Sequence, residues 1–318
     1  MSAPTIEVVG PEAAGAVLEV VRAAFADRAP LDPPTDALAE TEETIAARLA
    51  GGAGLVAHVD GELAGAVLLD AEADGRTVHL RRFGLTPAAR GRGVAVALVR
   101  EALHAAADLG DGRAERAVVF SREELPHTAR FWRQQGFAET GRTPPYVELA
   151  RALPRRLDVP TPDDMRALAT GIAAVVEAGD VLVLSGDLGA GKTTFTQGLG
   201  AALQVRGGIT SPTFVISRVH PSLVGGPDLV HVDAYRLGGA AELDDLDLDT
   251  DLDRAVTVVE WGEGLAEDLA ESPLEIRITR AVGTDPEADD TDPRTVELDP
   301  LGLRWLGVPL PGSPAAGR

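Results

Sequence analysis

Apolar residues in the second half of the chain come in short unbroken runs separated by glycine-rich or charged stretches. "DVLVLS" (180–185), "LVHVD" (229–233) and "VTVVE" (256–260) are near-continuous, β-branched segments of strand length. That pattern suits strands of a parallel sheet covered on both faces. Residues 165–178 carry a helix-like pattern, and "KTTFTQGLGAAL" (192–203) opens a second helix just after the first strand. In the first half, "LRRFGLTPAARGRGVAVALVREAL" (80–103) reads as an apolar strand, a small-residue loop and a helix with apolar positions recurring at three and four. Strand and helix alternate throughout, which predicts an α/β fold.

Prolines set the division of the chain. In "RALPRRLDVPTPDD" (151–164), Pro154, Pro160 and Pro162 interrupt any helix, and a new capping pattern follows. This stretch is therefore expected to be a linker, with domains at 1–153 and 154–318. "TDPEADDTDP" (284–293) reads as an acidic loop, and the end, "GVPLPGSPAAGR", as part of a disordered tail over 306–318.

Composition narrows the classes. With 318 residues and 45% apolar content the chain can bury two cores. It has no cysteine, which excludes disulfides and thiolate metal sites, and it lacks a charged-then-apolar N-terminal segment, so a cytoplasmic protein is expected. No apolar run approaches the roughly 20 residues of a membrane helix. The net charge is −21, and the halves share it unequally: residues 1–153 carry 16 arginines against 22 acids, residues 154–318 carry 13 basic residues against 28 acids. A broad nucleic-acid surface needs the opposite sign, so any RNA is expected to be held by a partner.

Against 28 arginines the chain keeps one lysine, Lys192. It stands in "GDLGAGKT" (186–193), which fits G-x-x-x-x-G-K-[ST] between a predicted strand and a predicted helix. Glycines there let the backbone curl so that successive amides of Asp187, Gly189, Ala190, Gly191, Lys192, Thr193 and Thr194 can surround a phosphate of ATP at a helix N-terminus. A compact ammonium fits between β- and γ-phosphates where a planar guanidinium does not, which explains the retained lysine. Thr193 would place its hydroxyl on Mg²⁺. The strands 229–233 and 256–260 each end in a carboxylate, Asp233 and Glu260. Ligands of open parallel sheets bind beyond the strands' carboxyl ends, so both acids are candidates for metal binding or for orienting water.

"GDLGAGKTTFTQGLGAAL", "SPTFVI" (211–216), "HVDAYRL" (231–237) and "VVEWGE" (258–263), in this order, closely resemble the TsaE family, the small ATPase of bacterial tRNA threonylcarbamoyladenosine synthesis. The resemblance covers essentially residues 157–300. It implies a P-loop fold with a mostly parallel sheet and Mg-ATP hydrolysis. It also implies work alongside TsaB and TsaD proteins, which handle the tRNA, so that tRNA is met only indirectly. By the same likeness Thr193 and Glu260 look like Mg²⁺ ligands, Lys192 and Asp233 look catalytic, and Ser211, Pro212 and Thr213 look like a switch segment near the γ-phosphate. Read without the resemblance, the same loop also suits a small-molecule kinase, although no arginine-rich lid follows its helix, or a scaffold that uses nucleotide only to order an interface.

Some nearby features have plainer readings. "ELDDLDLDTDLDR" (242–254) lacks the mid-loop glycine and spaced glutamate of a calcium loop and is expected to be a solvated acidic segment. His231 and Asp233 could pair as metal ligands, but with no further histidine nearby His231 is expected to be a structural strand-end histidine. Trp261 fits either a place beneath the nucleotide or the core.

The first half has its own anion-binding signal. After the strand ending near Leu85, "RGRGVA" (Arg90, Gly91, Arg92, Gly93, Val94, Ala95) leads into a helix, with small residues that admit a pyrophosphate and arginines that add charge. This loop, with "HTARFWRQQGF" (127–137) after it, is similar to the R-x-x-G-x-A loop and closing elements of the GNAT acetyltransferases over about residues 5–150. The resemblance implies a mixed sheet and acetyl-CoA at Leu85 and Arg90–Ala95. One departure matters: Trp132 stands where many members carry a tyrosine that protonates the departing thiolate, and an indole N–H is too weak an acid for that. No general base stands out: His79, Glu62 and Glu139 are candidates, but each reads better as an ordinary surface or structural residue, so a degenerate domain that binds acetyl-CoA, or only a protein partner, stays open.

Overall fold

The computed structural model describes residues 3–26, 31–210, 217–236, 253–262, 269–280 and 293–313. Within them the chain forms two compact units, the first ending at Leu153 and the second running from Pro154 to Ser313. Each is built on a seven-stranded sheet.

In the first unit the strands are β1 (Thr5–Val9), β2 (Ala53–Val59), β3 (Glu62–Ala71), β4 (Thr77–Leu85), β5 (Arg116–Arg122), β6 (Ala138–Thr143) and β7 (Tyr146–Ala152), in the spatial order β1-β2-β3-β4-β5-β7-β6. The helices are α1 (Ala14–Ala26), α2 (Glu42–Gly51), α3 (Val94–Gly112) and α4 (Pro126–Gln134). Alternation along β3 decides the layering: Val67 and Leu69 join one buried cluster with Leu98, Ala102 and Trp132, while Ala66 and Leu68 join another with Val17, Ile45 and Leu49. All pairings are antiparallel except β4 with β5. That parallel ladder runs only from Thr77–His79 against Arg116–Val118, although both strands continue well beyond it. A register shift in β3–β4, with Arg82 at a φ of 53°, bends β4 where the ladder stops.

The second unit comprises β8 (Arg155–Val159), α5 (Pro162–Ala173), β9 (Val181–Ser185), α6 (Lys192–Ala202), β10 (Ser217–His220), β11 (Asp228–Asp233), β12 (Ala255–Glu260), β13 (Leu274–Arg280) and β14 (Arg294–Pro300). The sheet order is β10-β11-β12-β9-β13-β14-β8. Four neighbouring strands, β11-β12-β9-β13, are parallel, and the flanking ones are antiparallel. The three apolar runs seen in the sequence are β9, β11 and β12, and β12 is buried at every residue.

Three expectations are corrected. The stretch after Pro154 is not a linker, because Arg155–Val159 pairs with β14 as an edge strand. Pro154 and Pro160 bound it, and Pro162 takes the first turn of α5, where Thr161 and Asp164 form a reciprocal capping box. That cap starts the helix earlier than 165 and it stops at Ala173, short of 178. Residues 306–313 are not disordered: Leu310 is 4% exposed, beside a wholly buried Trp305 whose indole N–H donates to the Ser272 carbonyl at 2.9 Å. An apolar anchor outweighs the local glycine and proline. Residues 314–318, and positions 242–252 of the acidic run, lie outside the described residues.

Candidate functional site

Strand β9 ends at Ser185, and the chain turns through Gly186–Gly191 into α6. The turn needs left-handed backbone: Gly191, the residue before the helix, has a φ of 118°. No side chain caps α6, so its first-turn amides are left for an anion.

Lys192 is 5% exposed. Its ammonium donates to the carbonyls of Gly186 (2.6 Å) and Asp187 (3.0 Å) and lies 3.6 Å from the centre of the Trp261 ring. Burial pushes its pKa down, against the opposing pull of Glu260, Asp233 and Asp187. Trp261 has a φ of 62° and its amide donates to the Leu184 carbonyl, which ties it to the end of β9. Its ring also meets Tyr235, with centroids 5.2 Å apart. Trp261 thus faces the loop lysine, and it also packs, half-buried, against the core cluster that holds Val183, Val232 and Val259. Ser185, Gly186, Asp187, Trp261, Arg277 and Ile278 line an open cleft of about 520 Å³ beside the loop.

The parallel register brings the acids to the same edge. Asp233 is the neighbour of Glu260, and Glu260 of Leu184, one residue before Ser185. Glu260 is 2% exposed and each of its oxygens has a separate task. Oε2 accepts from the Thr193 hydroxyl at 3.3 Å. Oε1 pairs with His231 Nε2 at 2.9 Å and accepts from Thr196 at 3.4 Å. His231 is fully buried, and its other ring nitrogen has no partner among the described residues, so the imidazole serves Glu260 alone. Asp233 accepts from the Tyr235 amide at 3.1 Å, which fixes its carboxylate over the strand end. Lys192, Thr193, Asp233 and Glu260 therefore converge. Asp187 and Gly189 lie exposed on the loop, and Ala190 is buried beneath it. Thr194 follows in the first turn, half-buried. Ser211, Pro212 and Thr213 lie outside the described residues.

Three residues of this site were not singled out for it by the sequence. Thr196 sits one turn after Thr193, so the spacing of three was a usable signal. His231 lies two residues before Asp233 on one face of β11; the sequence offered the two as a pair, and the structure bonds the imidazole to Glu260 instead. Arg294 gave no signal. From β14, about a hundred residues away in sequence, it donates through Nε to the Ala190 carbonyl and through Nη2 to that of Gly189 at 3.3 Å.

In the first unit, Leu85 closes β4, and Gly91 and Gly93 take φ values of 73° and 76° before α3 begins uncapped at Val94, with Ala95 next. An added Cβ at Gly93 would meet nothing within 4 Å. Arg92 pairs with Asp60 at 2.6 Å. Arg90 is exposed. Trp132 is 4% exposed and packs edge-on against Phe83, Phe131 and Phe137, with centroids 5.0 to 5.3 Å apart. It is a core residue. Of the candidate bases, His79 bonds Glu72 at 2.7 Å and stacks on Phe120, Glu139 is paired with Arg133 and Arg142, and Glu62 is exposed at the start of β3.

A four-stranded parallel core with a glycine loop, a buried lysine and strand-end acids defines a P-loop unit. The family described as threonylcarbamoyl adenosine biosynthesis protein TsaE matches residues 159–286, and the acetyltransferase (GNAT) family matches residues 18–137. A TsaE protein of Streptomyces coelicolor is 59% identical over 142 residues, covering 44% of this chain and 93% of that protein. The chain belongs to the TsaE family through its second unit and carries a GNAT acetyltransferase domain in its first. Among solved structures, Bacillus subtilis YdiB is 32% identical with a TM-score of 0.39, covering 48% of this chain and 89% of YdiB. An IAA acetyltransferase from Bacillus cereus is 18% identical with a TM-score of 0.37, covering 48% of this chain and all of that one.

Proposed function

We propose that the second unit is a magnesium-dependent ATPase that supports threonylcarbamoyl modification of tRNA adenosine in the cytoplasm, beside TsaB- and TsaD-type proteins. The first unit is an acetyl-CoA-dependent N-acetyltransferase domain, and the boundary lies between Leu153 and Pro154. The reading of the ATPase rests on one observation above the rest: the Thr193 hydroxyl lies 3.3 Å from Glu260 Oε2, beside the P-loop lysine. A hydroxyl and a carboxylate suit a hard divalent cation, so Thr193 and Glu260 would be the residues to hold magnesium. Among the described residues no cluster of three or more carboxylates, imidazoles or thiols competes as an all-protein site.

Magnesium bound there would neutralise charge on the β- and γ-phosphates. His231 occupies Oε1 of Glu260, which leaves Oε2 for the Thr193 side. Lys192 exchanges the carbonyls of Gly186 and Asp187 for phosphate oxygens, a movement its flexible stem allows. Asp233 accepts a hydrogen bond from the attacking water. The water oxygen bonds to the γ-phosphorus as the bond to the ADP oxygen breaks, and the released proton passes to phosphate or solvent.

In the first unit, the separation of β4 from β5 beyond His79 and the uncapped start of α3 support a site for acetyl-CoA. Phosphate release by the full chain, with and without TsaB- and TsaD-type partners and with magnesium present or chelated, tests the ATPase. Magnesium-dependent release is expected. Phosphate recovered on a small-molecule acceptor instead would identify a kinase, and nucleotide binding without turnover in either setting a scaffold.

A further inference from the structure

Arg294 is a charged side chain that touches the carbonyl side of the phosphate loop, and it lies beyond residue 286, where the TsaE family-model match ends. It begins β14, opposite Arg280 of β13 and Val159 of β8, at the edge of the sheet from which the loop springs. Its guanidinium donates to two consecutive loop carbonyls, Gly189 and Ala190. Its Nε also lies 3.4 Å from where a Cβ on Gly191 would stand, so the side chain lies flat against the loop at the last glycine before the helix.

A trans peptide is planar, and its C=O and N–H point in opposite directions. A donor that holds the carbonyls of residues 189 and 190 on one side therefore turns the amides of Ala190 and Gly191 to the other. The Ala190 amide closes the turn onto the Asp187 carbonyl at 3.1 Å. The Gly191 amide is the one left facing an anion. A fixed cation behind the loop also raises the potential in front of it.

We propose that Arg294 is a positioning residue of the phosphate loop, a clamp that holds the loop in its anion-binding shape before a nucleoside di- or triphosphate arrives. The inference rests on the ATPase reading above. It concerns binding of the phosphates and not the chemical step, so loss of the clamp is read in affinity and KM more than in kcat.

The test uses the full chain and four proteins: wild type, Arg294→Ala, Arg294→Gln and Arg294→Lys. ADP and Mg-ATP binding are followed by calorimetry, and hydrogen exchange of the peptide spanning 186–194 is followed without nucleotide. Arg294→Ala is expected to weaken ADP about tenfold, equivalent to about 1.4 kcal/mol, and to speed exchange of the loop amides in the free protein. Arg294→Lys, which keeps a charge and one direction of bonding, is expected to fall between. It also carries the test should the alanine variant fail to fold. Unchanged ADP affinity in variants that fold overturns the clamp. So does lost affinity with unchanged exchange, because that pattern means Arg294 meets the nucleotide directly. If wild type binds no adenine nucleotide, the ATPase reading falls first and takes the clamp with it.

Discussion

The chain contains two loops of the same construction, Gly186–Gly191 before α6 and Arg90–Gly93 before α3. Each leaves a strand and passes through left-handed glycines into a helix with no side-chain cap. What lies behind them differs. Behind the first are a nearly buried lysine, two nearly buried carboxylates and a buried histidine, and Glu260 is bonded to both the histidine and the Thr193 hydroxyl. Behind the second is an aromatic cluster of Phe83, Phe131, Trp132 and Phe137, and its arginines stay at the surface. A glycine turn at a helix start is enough to hold an anion. Breaking a bond in that anion needs groups whose charges are fixed before it arrives, and among the described residues it is the first loop that has buried charges behind it.

The comparison is tested most severely at Lys192. Lys192→Ala should cut ATP turnover by about a hundredfold or more while the chain stays folded, as judged by circular dichroism. Lys192→Arg should fail almost as badly, since the site wants a compact ammonium. Normal turnover with arginine would mean that charge alone matters and that the retained lysine has no special fit. Next in size is Glu260→Gln, which keeps shape and loses charge. The magnesium concentration for half-maximal turnover should rise by about ten- to a hundredfold, and Asp233→Asn should lower kcat more than nucleotide affinity. Unaltered magnesium dependence in Glu260→Gln would reduce the strand-end acids to turn caps.

The second loop predicts a different kind of loss. Gly93 has φ of 76° and open space where a side chain would go, so Gly93→Glu places bulk and negative charge where a pyrophosphate must sit. Acetyl-CoA binding by calorimetry should weaken more than about tenfold with ATP turnover unchanged. Binding indifferent to that change would put the acetyl-CoA site elsewhere in the first unit. A finer effect is expected from His231→Gln, which removes the imidazole from Glu260 Oε1. Its magnesium requirement should rise by about tenfold or less, below the shift in Glu260→Gln; a larger shift than Glu260→Gln would make the histidine more than a holder of the carboxylate.

The phosphate loop and the strands around it were legible because their signals are local. A glycine pattern, an apolar run and a terminal acid can each be read within about ten residues, and β9, β11, β12 and α6 fall within a residue of the runs that mark them. Pairwise geometry was less legible. Nothing local says that Asp233 and Glu260 are neighbours, because their adjacency comes from the parallel register of β11 with β12. Long-range contacts were not legible at all. Arg294 reaches the loop from another strand, β8 hides in a proline-bounded stretch that reads as a linker, and Trp305 and Leu310 hold down an end whose composition suggests disorder. In each case tertiary pairing or burial overrides a local preference.

The smallest expected effect concerns stability, and it separates what the first loop does from what keeps the unit folded. Burial lowers the pKa of Lys192 despite three nearby carboxylates, so the charged ammonium is less comfortable in the folded chain than in the unfolded one. With the folded pKa below the unfolded value, the unfolded state binds more protons in the window between them, and folding stability from this group rises with pH across that window. Below the folded pKa the cost is carried in full. Lys192→Met removes the charge and keeps the length, so the nucleotide-free variant should unfold a few degrees higher near neutral pH, about 2–4 °C, with no ATP turnover. The gain should shrink as pH approaches the lysine range. A lower Tm than wild type would mean that the bonds to Gly186 and Asp187 and the contact with Trp261 outweigh desolvation, and that the lysine holds the empty loop together as well as serving its ligand.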